Sequence, residues 1–383
     1  MAATPRRAGS LFAAITAGLL AGAGFGMALP LLSLNLEAQT GSGAAIGFVG
    51  AAGSVSTVLV APFAPRVLQR IPGRVAIAGA FLLTAALTLL FRVFESVPAW
   101  ALLRLLMGVA VTIPFIASEV WINQLATDRD RGKLIGLYGG ALAAGFASGG
   151  LVISVLGTVG WAPFLVAASI FGFGALPLLS RGPGIEPPKP EEATLRAMLK
   201  AARYAPTPAM AALAFGAVET AVFLFLPVYG VRIGLGEAGA ALLLGATSVG
   251  TLAFQVPLGW LSDQMDRARL LRCCAGGAAV APLLMPLAQA WTPALYALAF
   301  VYGGMAVGLY TLGLSLLGDR FKGGAMAAAN ASFVFLYGVG SLASPALGGY
   351  GIDAWNPHGV LLVLSGFALV LVIVAYLRAA KAR

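Results

Sequence analysis

Charged residues are scarce in this chain. Asp, Glu, Lys and Arg make up only 10% of its 383 residues, whereas 60% are hydrophobic and the mean hydropathy is +0.92. A soluble domain carries about 25% charged residues. Because this small number of charges cannot cover a water-exposed surface, the composition excludes an ordinary soluble protein. It indicates instead that lipid surrounds much of the chain.

Histidine and cysteine are almost absent. The single His358 and the adjacent Cys273 and Cys274 exclude most zinc and haem sites and any disulfide framework. The sequence contains no Walker motif, the usual sign of a protein driven by ATP. It also shows no pairing of a nucleophile with a histidine base that would indicate an enzyme. The sequence therefore predicts a protein that is not an enzyme and that needs no cofactor or metal.

Long apolar runs recur along the chain. Runs of about 18 to 25 such residues are transmembrane candidates, and the sequence contains twelve of them. The proline- and charge-rich segment 180–207 separates the sixth from the seventh and includes a short amphipathic helix near 195–204. We predict an all-α membrane protein with six-helix bundles at 1–180 and 208–383, joined by a cytoplasmic linker at 181–207. The spans lie near 11–34, 44–63, 75–91, 98–124, 134–156, 161–179, 208–230, 238–261, 270–289, 293–317, 325–350 and 358–378.

The basic residues are concentrated on one side of these spans. If the N-terminus is inside the cell, all 24 Lys and Arg residues except Arg92, Arg104 and Arg232 fall in cytoplasmic segments. This is the positive-inside rule. It predicts a multi-pass protein of the bacterial cytoplasmic (inner) membrane with both termini in the cytoplasm. It also accounts for the net charge of +10 without a nucleic-acid partner.

The two halves match each other at an offset of about 200 residues. Met27–Pro30 corresponds to Leu224–Pro227, and Gly108 corresponds to Gly308. These matches favour a duplicated six-helix unit. Such repeats place a substrate path at their interface, near the middle of the bilayer.

Short motifs give the chain a resemblance to the major facilitator superfamily. The family's loop signature, Gly-x-x-x-Asp-Arg-x-Gly-Arg, is matched in part at Gly259–Arg267. It is degraded at 66–74, where Arg70 takes the place of the Asp. The helix-four signature Arg-x-x-x-Gly is present as Arg104 and Gly108. The resemblance implies two six-helix bundles around a central cavity and secondary transport by alternating access.

A second group of motifs is similar to the YcaD-like branch of bacterial transporters. Ser118–Asn123 carries Glu-x-Trp-x-Asn near the end of the fourth span, and Asp130–Lys133 opens the fifth. The glycine signature of drug antiporters is matched only in part, because Phe146 replaces its proline. Membership of that antiporter group is therefore not supported.

Three ionisable residues lie inside spans, where they cost about 2.5–3.5 kcal/mol each and usually face a cavity. Burial disfavours the ionised form of a carboxyl group, so Glu219 is predicted to hold a proton and to couple transport to it. A purely structural, hydrogen-bonded carboxyl is the alternative. Arg104 either anchors an anionic substrate or pairs with carbonyls of the first span. Glu119 is predicted to form a gate with Arg70 and Arg74.

The remaining predicted site residues fall into two groups. By resemblance, the second-half loop gates the transporter through Gly259, Asp263, Arg267 and Arg269. Polar and aromatic side chains on the cavity helices are candidates for substrate contact. They are Phe25, Tyr229, Gln255, Tyr302, Tyr310, Asn330 and Tyr337.

The function predicted from the sequence is transport of a small molecule by a monomer in the bilayer. Coupling to protons through Glu219 is expected, and export is favoured over uptake. One alternative is uptake of an organic anion held by Arg104. The other is a sensor or assembly factor of the same fold that transports nothing.

Overall fold

The described part of the chain is helical. The computed structural model describes residues 5–60, 70–125, 131–179, 195–321 and 324–381, and these ranges contain no strand. They form thirteen α-helices and one 3-10 turn, Leu176–Leu179. The helices are α1 (Pro5–Thr40), α2 (Gly43–Val60), α3 (Gly73–Val93), α4 (Val97–Leu125), α5 (Arg131–Leu156), α6 (Ala162–Ala175), α7 (Leu195–Tyr204), α8 (Pro206–Arg232), α9 (Gly236–Gln264), α10 (Arg267–Ala288), α11 (Thr292–Arg320), α12 (Gly324–Ala354) and α13 (Gly359–Lys381).

Twelve of these helices are the predicted membrane spans. Ten are long and apolar enough to cross a bilayer, and two shorter apolar helices, Val97–Thr112 and Ala162–Leu178, occupy the fourth and sixth places. The exception is α7, which coincides with the amphipathic helix predicted in the linker. The predicted fold class is confirmed.

Several helices extend beyond the predicted spans. Helix α1 has 36 residues, or about 54 Å at 1.5 Å per residue, against a hydrocarbon core of about 30 Å. Its last turns contain polar residues whose side chains bond to carbonyls of the same helix, as Asn35 does to the carbonyl of Leu31 and Thr40 to that of Leu36. Hydropathy identifies only the part of a helix that lies in lipid, so the predicted span ends before the helix does.

The chain divides into two compact units whose boundaries interleave. The first comprises 1–35 and 52–190, and the second comprises 36–51 and 191–383. The end of α1 and the start of α2 thus pack with the helices of the second half. The predicted bundles were contiguous in sequence, because no feature of residues 36–51 marks them as belonging elsewhere.

Glycines set the closest helix contacts of the first unit. A Cβ atom on Gly22 would lie 2.2 Å from the carbonyl oxygen of Leu142, and one on Gly149 would lie 2.1 Å from the carbonyl carbon of Gly26. A Cβ on Gly108 would lie 2.5 Å from the carbonyl oxygen of Gly53. Only small residues allow this approach, and it joins α1 to α5 and α2 to α4.

The second unit repeats the same pairings. A Cβ on Gly216 would lie 2.1 Å from the carbonyl oxygen of Tyr337, which joins α8 to α12. A Cβ on Gly250 would lie 1.9 Å from the carbonyl oxygen of Phe300, which joins α9 to α11. In order of spans, the pairs one–five and two–four become seven–eleven and eight–ten. This correspondence supports the duplication inferred from the sequence.

Candidate transport site and ion-pair clusters

Glu219 lies within α8 and faces α12. Its carboxylate accepts a hydrogen bond from the hydroxyl of Tyr337. A second bond joins the same helices, because the hydroxyl of Ser341 on α12 donates to the carbonyl of Gly216 on α8 at 3.1 Å. The missing side chain of Gly216 brings the two helices close enough for both bonds. The structure thus brings together two predicted site residues, Glu219 and Tyr337.

The ring of Tyr337, the donor to this carboxylate, belongs to a cluster of aromatic rings. The ring of Phe215 lies 5.2 Å from that of Tyr310 and 6.0 Å from that of Tyr337. Tyr310, another predicted cavity residue, also meets Phe333 edge-on at 5.4 Å. The carboxyl of Glu219 thus bonds a tyrosine that is packed among rings, and it forms no salt bridge with any described lysine or arginine.

Arg104 lies on α4 against the backbone of α2. A Cβ on Gly53 would lie 2.6 Å from its Nη2, so the guanidinium occupies the space that this glycine leaves free. Within the described ranges its one hydrogen bond is a long contact, 3.7 Å, to the sulfur of Met107 in its own helix. No described carbonyl of the first span accepts a hydrogen bond from it, so its predicted roles stay predictions.

We call Asp263, Arg267 and Asp319 the Arg267 cluster. Arg267 begins α10, and its guanidinium bonds Asp263 at the end of α9 at 3.2 Å and Asp319 at the end of α11 at 2.5 Å. The side chain of Asp263 is 74% exposed. Arg269, predicted to join this network, has an exposed side chain with no ion pair to a described residue. A Cβ on Gly259 would meet no described atom within 4 Å, so packing there does not demand a glycine.

We call Glu37, Arg232, Asp353 and Asn356 the Arg232 cluster. Arg232, the last residue of α8, bonds both carboxylate oxygens of Glu37, at 2.8 and 2.9 Å. Asp353 accepts from the same guanidinium at 3.3 Å and Asn356 at 3.2 Å. The side chains of Arg232 and Glu37 are only 9% and 13% exposed. Two carbonyls, of Gly41 and Ile352, complete its bonding.

Asp353 has a second role in this cluster. Its two carboxylate oxygens accept from the backbone N–H groups of Gly43 at 2.8 Å and Ala44 at 2.9 Å, at the N-terminus of α2. A carboxylate at this place satisfies orphan N–H groups and complements the helix dipole. A Cβ on Gly47 would lie 2.3 Å from the carbonyl oxygen of Pro345, so α2 also packs tightly on α12.

Comparison with a family model identifies the family of the chain. The model described as Major Facilitator Superfamily matches residues 14–245 and 233–383. The chain belongs to the Major Facilitator Superfamily. It is therefore a secondary transporter rather than an enzyme.

Individual relatives agree with the family. The chain is 26% identical over 360 residues to the uncharacterized MFS-type transporter YfkF of Bacillus subtilis (strain 168), covering 91% of each protein. It is 22% identical to the MFS-type transporter YcaD of Shigella flexneri serotype 5b (strain 8401), covering 71% of this chain and 70% of YcaD. The resemblance to YcaD-like transporters is confirmed.

Solved transporter structures share the fold. A crystal structure of a point mutant of the nucleoside transporter NupG has a TM-score of 0.79 at 13% identity, over 96% of this chain and 99% of NupG. A D-xylose-proton symporter has a TM-score of 0.75 at 18% identity, over 97% of each chain. At these identities the likeness shows the fold alone.

The structure also describes the surroundings of the other predicted cavity residues. Tyr229 is fully buried near the end of α8, where its hydroxyl accepts from Gln289 at 2.7 Å. Tyr302 is also fully buried, and its hydroxyl has no hydrogen-bond partner among the described residues. Phe25 meets Phe171 of α6 edge-on at 5.2 Å. Gln255 is half-buried in α9, and Asn330 is exposed on α12.

The predicted first-half gate is described only in part. The guanidinium of Arg74 stands 5.1 Å above the ring of Trp121, which joins the start of α3 to the end of α4. Arg70 is exposed. The side chain of Glu119 and the loop 61–69 lie outside the described residues, so the gate stays a prediction.

Sequence reasoning missed Glu37, Asp353 and Asp319. In the sequence, Arg232 stands out only as a basic residue outside the predicted cytoplasmic segments. A signal was available, since three of the few acidic and basic residues, Glu37, Arg232 and Asp353, each stand at the end of a span. Charged residues at span ends are common, and only the folded chain shows which of them meet.

Proposed function

We propose that this protein is a proton-coupled secondary transporter in which the carboxyl of Glu219 carries the coupled proton. The observation that carries the proposal is the hydrogen bond from Tyr337 on α12 to a carboxylate within α8. Ionisable groups inside the membrane are costly and mark ion or substrate pathways. A packing role alone does not require an acid at this position.

The pair of Glu219 and Tyr337 suits reversible protonation. The tyrosine hydroxyl donates to the ionised carboxylate, and the same hydroxyl oxygen can accept from the protonated carboxyl. Either form therefore keeps a bond between α8 and α12. No described cation holds the carboxylate permanently ionised, so access of water to the site decides whether the proton leaves.

Export is the direction we propose, in keeping with the expectation from the sequence. Nucleosides and D-xylose are cargo of two proteins whose fold this chain shares, but at 13% and 18% identity these substrates do not carry over to it. The proposal is therefore limited to a small molecule exchanged for protons across the cytoplasmic membrane.

The first experiment needs no substrate. Infrared difference spectroscopy during a pH titration in lipid should show a carboxyl band that is present in the wild type and absent in Glu219→Gln. Glu237→Gln, the same chemical change in the first turn of α9, should retain the band. A band that survives in Glu219→Gln would remove Glu219 as a titrating group.

The second experiment measures coupling once a screen in proteoliposomes has found a substrate. Under an imposed pH gradient, Glu219→Gln should bind substrate and exchange it for labelled substrate, but fail to concentrate it. Glutamine mimics the protonated acid in shape and donor capacity. Wild-type accumulation by Glu219→Gln would show that the carboxyl serves packing only.

A second candidate is uptake of an organic anion, and it rests on Arg104. Arginine keeps its charge in proteins, and this one forms no salt bridge with a described carboxylate. An anionic group of a substrate would supply the missing partner. If this is correct, Arg104→Gln abolishes transport of carboxylates, Arg104→Lys retains part of it, and neutral substrates are unaffected. Equal losses for neutral and anionic substrates would reject it.

A further inference from the structure

Helix α7 is held firmly on the second unit by one face. Ala201 and Ala205 are buried in a cluster with Leu317 and Phe333. The guanidinium of Arg320 donates to the carbonyl of Tyr204 at 3.3 Å, and Phe321 meets the ring of Tyr204 edge-on at 5.6 Å. The orientation of α7 about its own axis is therefore fixed.

The opposite face of α7 is basic and exposed. Arg196, Lys200 and Arg203 are all exposed, and α7 contains no acidic residue. At 3.6 residues per turn, these three side chains fall within an arc of about 60°. Their charges project together from one stripe of a helix whose other stripe is packed on protein.

Exposed apolar side chains flank the basic stripe. Leu199 is 47% exposed and Tyr204 is 69% exposed. On a helical wheel they stand on either side of the stripe, at about 40° from its nearest edge in each case. Lysine and arginine beside leucine and an aromatic ring are typical of helices that lie in the membrane interface.

We propose that the exposed face of α7 binds the headgroups of anionic lipids in the cytoplasmic leaflet. Basic segments beside a membrane are attracted to anionic lipids, and the charge excess of the whole chain is expected on this side. Leu199 and Tyr204 enter the headgroup region, while the three basic side chains bond lipid phosphates. The lipid thereby fixes the linker between the two halves to the membrane surface.

The test follows the depth of residue 199 in the full-length protein. A nitroxide is attached at Leu199→Cys, with Cys273 and Cys274 replaced by serine, and the protein is placed in nanodiscs of phosphatidylcholine with or without phosphatidylglycerol. We expect the label to lose contact with a water-soluble nickel complex, and to gain contact with oxygen, when phosphatidylglycerol is present.

Matched variants separate lipid binding from a general charge effect. The double change R196Q/K200Q should abolish the difference between the two lipid compositions, and R269Q/R378Q, which removes the same charge from other exposed positions, should leave it intact. R196K/R203K should also retain it. High salt should reduce the difference in the wild type.

Two results would overturn the proposal. If the label contacts the nickel complex equally in both lipids, the basic face is merely solvated, or is reserved for a protein partner. If R196Q/K200Q retains the lipid-dependent difference, the headgroups are not held by these side chains.

Discussion

Breaking the Arg232 cluster should free the end of α1 from the ends of α8 and α12, and we call the freed form open and the bonded form closed. In Arg232→Gln, Glu37 loses two short bonds from the guanidinium, at 2.8 and 2.9 Å, in a place where both side chains are mostly buried. Asp353 loses two longer bonds, both at 3.3 Å, but keeps its two bonds to the start of α2. The loss is thus concentrated on Glu37.

The size of the effect follows from these contacts. A hydrogen bond to a charged group contributes about 1.5–3 kcal/mol, and truncating one partner of a buried ion pair costs about 3–5 kcal/mol. Because the cluster retains some exposure, we expect about 3 kcal/mol. At 1.4 kcal/mol for each factor of ten, the equilibrium between closed and open forms at this end shifts by roughly 100-fold.

Distances between spin labels at Ala38→Cys and Ala354→Cys, in a cysteine-free background, measure this equilibrium directly. Both positions are exposed, at the ends of α1 and α12. Arg232→Gln should convert a minor long-distance population into the major one. The control is Arg92→Gln, which removes a local pair with Glu95 at the end of α3. The reversed pair Arg232→Glu with Glu37→Arg should restore part of the closed form. An unchanged distance distribution in a folded Arg232→Gln protein would refute the reasoning.

Three further predictions concern other contacts. Asp263→Asn should change conformational populations by less than Arg232→Gln, since exposed pairs contribute about 0–1 kcal/mol; the double variant with Asp319→Asn should have a larger effect in the same spin-label assay. Gly216→Ala should lower the free energy of unfolding by about 1–3 kcal/mol, because its Cβ would lie 2.1 Å from the carbonyl oxygen of Tyr337. Gly245→Ala should not lower it, because a Cβ there meets no described atom within 4 Å. Thermal unfolding in detergent compares the two variants. Gly43→Ala places a Cβ 2.2 Å from a side-chain carbon of Ile352, so it should shift the label distances as Arg232→Gln does.

The architecture could be predicted because lipid imposes strong rules on sequence. Twelve apolar spans, the amphipathic helix at 195–204 and the repeat all follow from hydropathy and glycine placement. Helix ends could not be placed as well. Helix α1 continues past its apolar run through Asn35 and Thr40, whose side chains bond its own backbone, and hydropathy identifies only the apolar part of such a helix.

The candidate site was predictable only as a set of residue types. Glu219 was recognisable because an acid inside a span is unusual, but its partner Tyr337 was one aromatic residue among several. Tyr229 and Tyr302 belong to the same class, yet both are buried in packing. The difference depends on which side of each helix faces which neighbour, and near-continuous apolar helices carry little periodicity to reveal it.

The carboxyl site and the Arg232 cluster share one pair of helices. Glu219 and Arg232 both lie on α8, and Tyr337 and Asp353 both lie on α12. The separation along α8 is about 20 Å at 1.5 Å per residue. Coupling between two sites requires an element with two arrangements that both sites bias, and this helix pair is the element that both share.

Each helix of this pair contains a proline, and the two prolines occupy corresponding positions. Pro227 lies inside α8 and Pro345 inside α12, and each follows its partner in the Glu219–Tyr337 bond by the same number of residues. A proline removes one backbone hydrogen bond and is a common place for a helix to bend. In the part of α8 that precedes Pro227, the glycine contact at Gly216 holds α8 against α12. Beyond the prolines, the Arg232 cluster holds their ends to α1 and α2. Bending at the two prolines can therefore release the ends of α8 and α12 from α1 and α2 while the carboxyl–hydroxyl bond stays intact.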